Sequence, residues 1–109
     1  MDKELLHNPP AGEILKQEFL IPFGLSQNTL AKAIDVPANR IHGIVNGTRG
    51  ISAETDLLLS RFFGLSDGYW LRLQNLYAIM EAKRSLQDKL THIKIFQFPP
   101  LTAKKRHHD

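Results

Sequence analysis

Two short helix-forming segments separated by one tight break, between Ser26 and Asn46, constrain this chain more than any other feature. Ser26 is a good N-cap, and Leu30, Ala31 and Ile34 then fall on one helical face. The break is Asp35-Val36-Pro37, because the residue before a proline is pushed out of the helical region. Pro37 can open the next helix as its first residue. There Ile41, Ile44 and Val45 recur at i, i+3, i+4, and Asn46-Gly47 closes the run. Two helices this short, joined this tightly, must pack against each other and against the rest of the chain.

The flanking sequence supplies the other helices. Asn8-Pro9-Pro10 reads as a helix start with Asn8 as a possible cap, followed by Ala11, Ile14, Leu15 and Phe19 at helical spacing; Pro22 and Gly24 end it. Ser52 predicts a fourth N-cap with Glu54 and Asp56 in the first turn, where carboxylates suit the helix dipole. Its predicted buried face is Thr55, Leu58, Leu59, Phe62 and Phe63. Ser66 predicts the cap of a fifth helix whose apolar stripe is Tyr69, Trp70, Leu73, Leu76, Tyr77 and Met80. This stripe reads as core rather than a ligand box, with part of it available as a dimer surface. Helix continues with weaker periodicity through Glu81–Leu90. Residues 92–98 then mostly alternate polar and apolar, a strand pattern ended by Pro99-Pro100. A lone strand must pair with another chain or stay unformed. The expectation is an all-α chain of five helices with a short C-terminal strand or extended tail. Residues 1–90 form the domain, and 91–109 an extended segment and basic tail.

Composition narrows the function classes. The 109 residues suffice for one domain. There is no cysteine, which excludes a disulfide scaffold, a thiolate zinc site and a cysteine nucleophile. No apolar run approaches the roughly 20 residues of a membrane span, and the charged start Met1-Asp2-Lys3-Glu4 leads into no signal-like stretch. A cytoplasmic protein with no membrane partner is expected. The net charge of +3 is unevenly placed. Residues 26–50 hold Lys32, Arg40 and Arg49 against Asp35, and residues 83–109 hold seven bases against Asp88 and Asp109. Such stretches can suit nucleic acid, though a solvated surface is the commoner use.

The segment 37–46 divides cleanly on a helical wheel. At about 100° per residue, Asn39, Gly43 and Asn46 fall opposite Ile41, flanked by Arg40 and His42. Asn can bond an adenine edge with two hydrogen bonds, and Arg can take guanine or phosphate. A mid-helix glycine costs about 1 kcal/mol relative to alanine. Gly43 therefore reads as letting the helix sit close to a groove, against the alternative of a glycine tolerated in a short, well-packed helix.

Residues 25–52 resemble the helix-turn-helix of phage-repressor-like (Xre-type) DNA-binding proteins, through Ser26-Gln27, Leu30-Ala31, Val36-Pro37, Ile41, Asn46-Gly47 and Arg49. The flanks, Pro9 to Leu15, Ile51 to Thr55, and Phe63-Gly64-Leu65-Ser66 through Tyr69 to Gln74, extend the resemblance to the HigA antitoxins, also called virulence-associated protein I. It covers roughly residues 8–85. It implies a phage-repressor-like fold, a homodimer, binding to double-stranded operator DNA with repression of its own operon, and neutralisation of a HigB-like ribonuclease toxin. By motif position it implies that Gln27, with Asn28 beside it, meets DNA at the start of the second helix, Gln27 on phosphate. It places Ala38, Asn39, Arg40, His42 and Gly43 against base edges or the groove wall, and Asn46, Thr48 and Arg49 on phosphate. The chain departs from the family at the turn, where Asp35 stands in place of the usual glycine; Asp tolerates the left-handed conformation better than most residues. With only three bases in the motif, two half-sites about 34 Å apart are needed for useful affinity.

Catalysis finds no support. There is no Gly-rich phosphate loop and no His-Glu-x-x-His, and His7, His42 and His92 lie far apart without carboxylate partners. A small basic ribonuclease fails on that ground, so no enzyme, cofactor or metal is expected. His107-His108 lacks a third ligand. The alternatives are an orphan helix-turn-helix regulator without a toxin, and a protein-interaction module that does not bind DNA.

Overall fold

The computed structural model describes residues 8–100. Among them are five helices and no strand. Helix α1 is an α-helical turn, Ala11–Ile14, that continues as a π-helix over Leu15–Leu20. It is followed by α2 (Gln27–Ala33), α3 (Ala38–Asn46), α4 (Ala53–Phe63) and α5 (Tyr69–Thr91). Helix α2 packs on α3, α1 packs on both α3 and α5, and α4 packs on α5.

Two of the expected caps form as the sequence indicates. Ser26 Oγ accepts the Thr29 N–H at 3.0 Å, and Ser52 Oγ accepts the Thr55 N–H at 3.2 Å. Others do not. Helix α1 has Pro10 as its N-cap with no side-chain bond. Asn8 instead donates to the Tyr77 carbonyl at 3.2 Å and to Glu81 Oε2 at 3.1 Å, which fastens the segment just before α1 to α5. Pro37 sits one position earlier than expected, as the N-cap of α3.

Ser66 does not cap α5; its hydroxyl accepts from Arg72 at 2.9 Å. The cap comes from another helix. Asp56, expected to serve the dipole of its own helix, is buried, and its carboxylate accepts the N–H groups of Gly68 (2.7 Å), Trp70 (2.8 Å) and Leu71 (3.2 Å). These are charge-assisted bonds to N–H groups with no partner inside the helix, and they bind α4 rigidly to the start of α5.

The core is Leu15, Leu20, Leu30, Ala31, Ile34, Ile41, Ile44, Ile51, Leu59 and Trp70, with Ala11 beside them. Each large member contributes about 2 kcal/mol from burial. Trp70 is fully enclosed, with the Phe19 ring centroid at 5.0 Å and Phe63 at 6.2 Å; Phe19 and Phe63 are 4.8 Å apart. Phe62, expected in the core, is exposed, whereas Asp56 and Ser60 on the same helix are buried. The α5 stripe also divides: Trp70 is core, Tyr69, Leu73 and Tyr77 are half-buried, and Leu76 and Met80 are exposed.

Helix α5 has 23 residues, about 34 Å of helix, which outruns the body it packs on. Every described residue from Ala82 to Pro100 is exposed. The strand pattern at 92–98 forms no strand; among the described residues no second strand lies beside it to take its hydrogen bonds. The basic run Lys104-Lys105-Arg106 and His107-His108 lie outside the described residues, as does His7.

Candidate nucleic-acid interface

The turn between α2 and α3 sets the candidate site. Asp35 adopts a left-handed conformation at φ 58°, the only non-glycine among the described residues to do so. The Val36 N–H donates to the Ala31 carbonyl at 3.0 Å, and Pro37 redirects the chain into α3. Helix α3 then lies with Ile41 and Ile44 against the core and its opposite face in solvent.

The depth at which α3 sits depends on Gly12, whose role was not visible in the sequence. A Cβ at position 12 would fall on the Ile44 carbonyl oxygen, so α1 and α3 touch backbone to backbone there. Only glycine permits that approach.

Asn28, Asn39, His42, Asn46, Thr48 and Arg49 are exposed. Among the described residues, none of Asn39, His42, Asn46 and Arg49 has its side chain in a hydrogen bond. Gln27, Ala38, Arg40 and Gly43 are half-buried. Ala38 packs partly on the core, and Arg40 lays its stem down so that Nε is out of solvent without a partner. The wheel placed Arg40 as a free flank; its angle lies close enough to Ile44 that much of the stem becomes packing surface.

Gly43 has an internal reason to be glycine. A Cβ there would lie 3.0 Å from the Arg49 Cβ and 3.5 Å from Thr48 Oγ1. Its carbonyl accepts the N–H groups of Thr48 at 2.9 Å and Arg49 at 3.2 Å, and the Thr48 hydroxyl at 3.4 Å. The segment after α3 therefore folds back against the helix, bringing Thr48 and Arg49 beside its polar face.

The face so assembled is polar, with donors and acceptors of the kind that read base edges and phosphates. Among the described residues no group of three or more His, Asp or Glu is placed to hold a metal ion, and no helix is long and apolar enough to cross a membrane.

The chain is similar to proteins of known sequence and structure. The helix-turn-helix family matches residues 15–70. Virulence-associated protein I of Dichelobacter nodosus is 46% identical over 77 residues, covering 71% of each chain. The Pseudomonas aeruginosa antitoxin HigA, solved with the higBA promoter, superposes with a TM-score of 0.75 at 34% identity, over 84% of this chain and 100% of that one. A second Pseudomonas aeruginosa protein, in complex with its operator DNA, gives 0.77 at 35% identity, over 83% of this chain and 98% of that one.

Proposed function

The chain belongs to the Xre-type helix-turn-helix family that includes virulence-associated protein I and the HigA antitoxins, and from that premise we propose that it is a cytoplasmic antitoxin that represses its own operon by binding an operator. It acts by binding, as a dimer on operator DNA and against a HigB-like ribonuclease toxin. The observation that carries this reading is the division of α3. Ile41 and Ile44 are 0% and 2% exposed, while Asn39, His42 and Asn46 face solvent with no intramolecular task. Asn39, Arg40, His42 and Gly43 meet the major groove; Gln27, Asn28, Thr48 and Arg49 meet the backbone on either side, with Asn46 at the end of α3 and Ala38 at its start against the groove wall.

The second copy is held by the outer face of α5. Leu76, Ile79, Met80, Leu86 and Leu90 are all exposed, and all but Met80 follow a spacing of three and four residues that makes a helix–helix seam interrupted by Lys83. Two α3 helices then address two half-sites.

The test is fluorescence anisotropy on DNA from upstream of the gene against scrambled DNA, at two salt concentrations. Preference for the upstream DNA is expected. Arg49→Ala should weaken binding to both DNAs and lower the salt slope by about 1, whereas Asn39→Ala should cost roughly 1–3 kcal/mol on the operator alone. Arg40→Ala should also weaken binding, but its half-buried stem makes it the less clean probe. Equal binding to both DNAs, or none, would remove the repressor reading.

A further inference from the structure

We propose that Gln74 is a positioning residue for DNA binding, which fixes the phosphate-contacting loop after α3 to the helix that forms the dimer. The proposal rests on the repressor reading above and deepens it. The Gln74 carboxamide closes both backbone groups of Ile51: Oε1 accepts the Ile51 N–H at 2.7 Å, and Nε2 donates to the Ile51 carbonyl at 2.9 Å. These bonds span 23 residues of sequence. Space is tight around the amide, since a Cβ at Gly50 would lie 3.2 Å from Gln74 Oε1.

The loop is thus clamped at both ends. At its start, Thr48 and Arg49 donate to the Gly43 carbonyl of α3. At its end, Ile51 is held by α5. Thr48 and Arg49 are held through their own N–H groups, and their side chains stay exposed. A short loop fixed at two ends presents its side chains with less conformational freedom to lose on binding.

On α5 the clamp has a particular placement. At about 100° per residue, Leu76, Ile79, Lys83, Leu86 and Leu90 fall on the side opposite Gln74. One face of the helix therefore holds the DNA-contacting loop, and the other carries the exposed apolar seam. A partner copy on that seam is connected to Thr48 and Arg49 through one rigid helix and one side-chain amide. The clamp carries the position of the dimer axis to the phosphate contacts, which is what half-site spacing requires.

The test uses the full chain and the upstream DNA. Gln74→Glu keeps an acceptor for the Ile51 N–H but sets a carboxylate oxygen against the Ile51 carbonyl. It should weaken operator binding roughly tenfold and lower the salt slope by about 1, as loss of a phosphate contact does, with dimer mass unchanged. Gln74→Glu and Arg49→Ala should be non-additive, Arg49→Ala doing less harm in the Gln74→Glu background. Additive effects, or wild-type affinity and slope in Gln74→Glu, would overturn the proposal while leaving the repressor reading intact. A wild-type protein with no preference for the upstream DNA would overturn both. Amide exchange in the unmodified protein is the check that needs no variant: the Ile51 N–H should exchange slowly, and exchange at the rate of an open loop would overturn the clamp.

Discussion

Helix α3 and the outer part of α5 are both amphipathic, but they direct their apolar faces differently. In α3, Ile41 and Ile44 lie inside the chain's own core and the polar residues face out. On the outer face of α5, the apolar residues themselves face solvent, with Leu76 at 59% exposure and Ile79 at 52%. Length accounts for much of the difference. A helix of nine residues is marginal in water and exists only because its apolar face is covered. A helix of 23 residues, anchored along one face at Trp70, Leu73 and Tyr77, can leave its other face bare and project beyond the body. The short helix therefore has only its polar face to offer a partner, and the long one has an apolar face to offer. A polar face suits DNA; an apolar one suits a second copy of the chain.

The same substitution in both places gives the sharpest contrast. Ile41→Ala removes a fully buried side chain and should cost about 3–4 kcal/mol in chemical denaturation, lowering the melting temperature by well over ten degrees. Ile79→Ala should leave the stability of the dissociated chain within about 0.5 kcal/mol of wild type and raise the dimer dissociation constant, read by light scattering against concentration. Equal destabilisation at both sites would mean that the α5 face is covered within its own chain, and the comparison would fail.

Asp56→Ala comes next, at about 3 kcal/mol. It removes one carboxylate from three N–H groups and so weakens the junction that lets α5 project. Asp56→Asn retains an acceptor and should lose roughly half as much. A loss below about 1 kcal/mol for Asp56→Ala would show that water replaces the carboxylate, and that α5 is held by Trp70 packing alone.

What the sequence revealed and what it concealed follows the range of each interaction. The caps at Ser26 and Ser52 and the turn at Asp35 are local, three or four residues across, and they stand where the sequence places them. So do the buried faces of α2 and α3, because a wheel needs only periodicity. The failures are long-range. Ser66 stands where a cap is expected, but the N–H groups at the start of α5 are taken by Asp56, twelve to fifteen residues earlier in the chain. Phe62 obeys the α4 periodicity but stays exposed, while Asp56, which the α5 junction draws inward, and Ser60 are buried. The π-turn at Leu15–Leu20 has no local signature, and the pattern at 92–98 needs a partner strand that the described residues do not supply. At the site, the exposure of Asn39, His42 and Asn46 was legible, while the half-burial of Ala38 and Arg40 depended on packing that the wheel of a single helix does not contain. Gly12 and Gln74 were missed, although each stood out: a glycine in a first helical turn, and a polar amide beside an apolar stripe.

Gly43→Ala should produce the smallest change in stability and still discriminate between the two uses of a helix face. Alanine gains about 1 kcal/mol in helix propensity over glycine. The added Cβ would meet Arg49 Cβ at 3.0 Å, so the loop must yield by a few tenths of an ångström. These terms nearly offset, and the melting temperature should move by no more than a few degrees. Operator affinity should nevertheless fall several-fold, because the segment that yields is the one carrying Thr48 and Arg49. Dimer mass should not change, since the α5 seam lies on another element. A Gly43→Ala protein with raised stability and unaltered DNA binding would mean that the loop relaxes freely. Glycine would then be an incidental occupant of the polar face of α3, and only the outer face of α5 would remain as a surface shaped by what it binds.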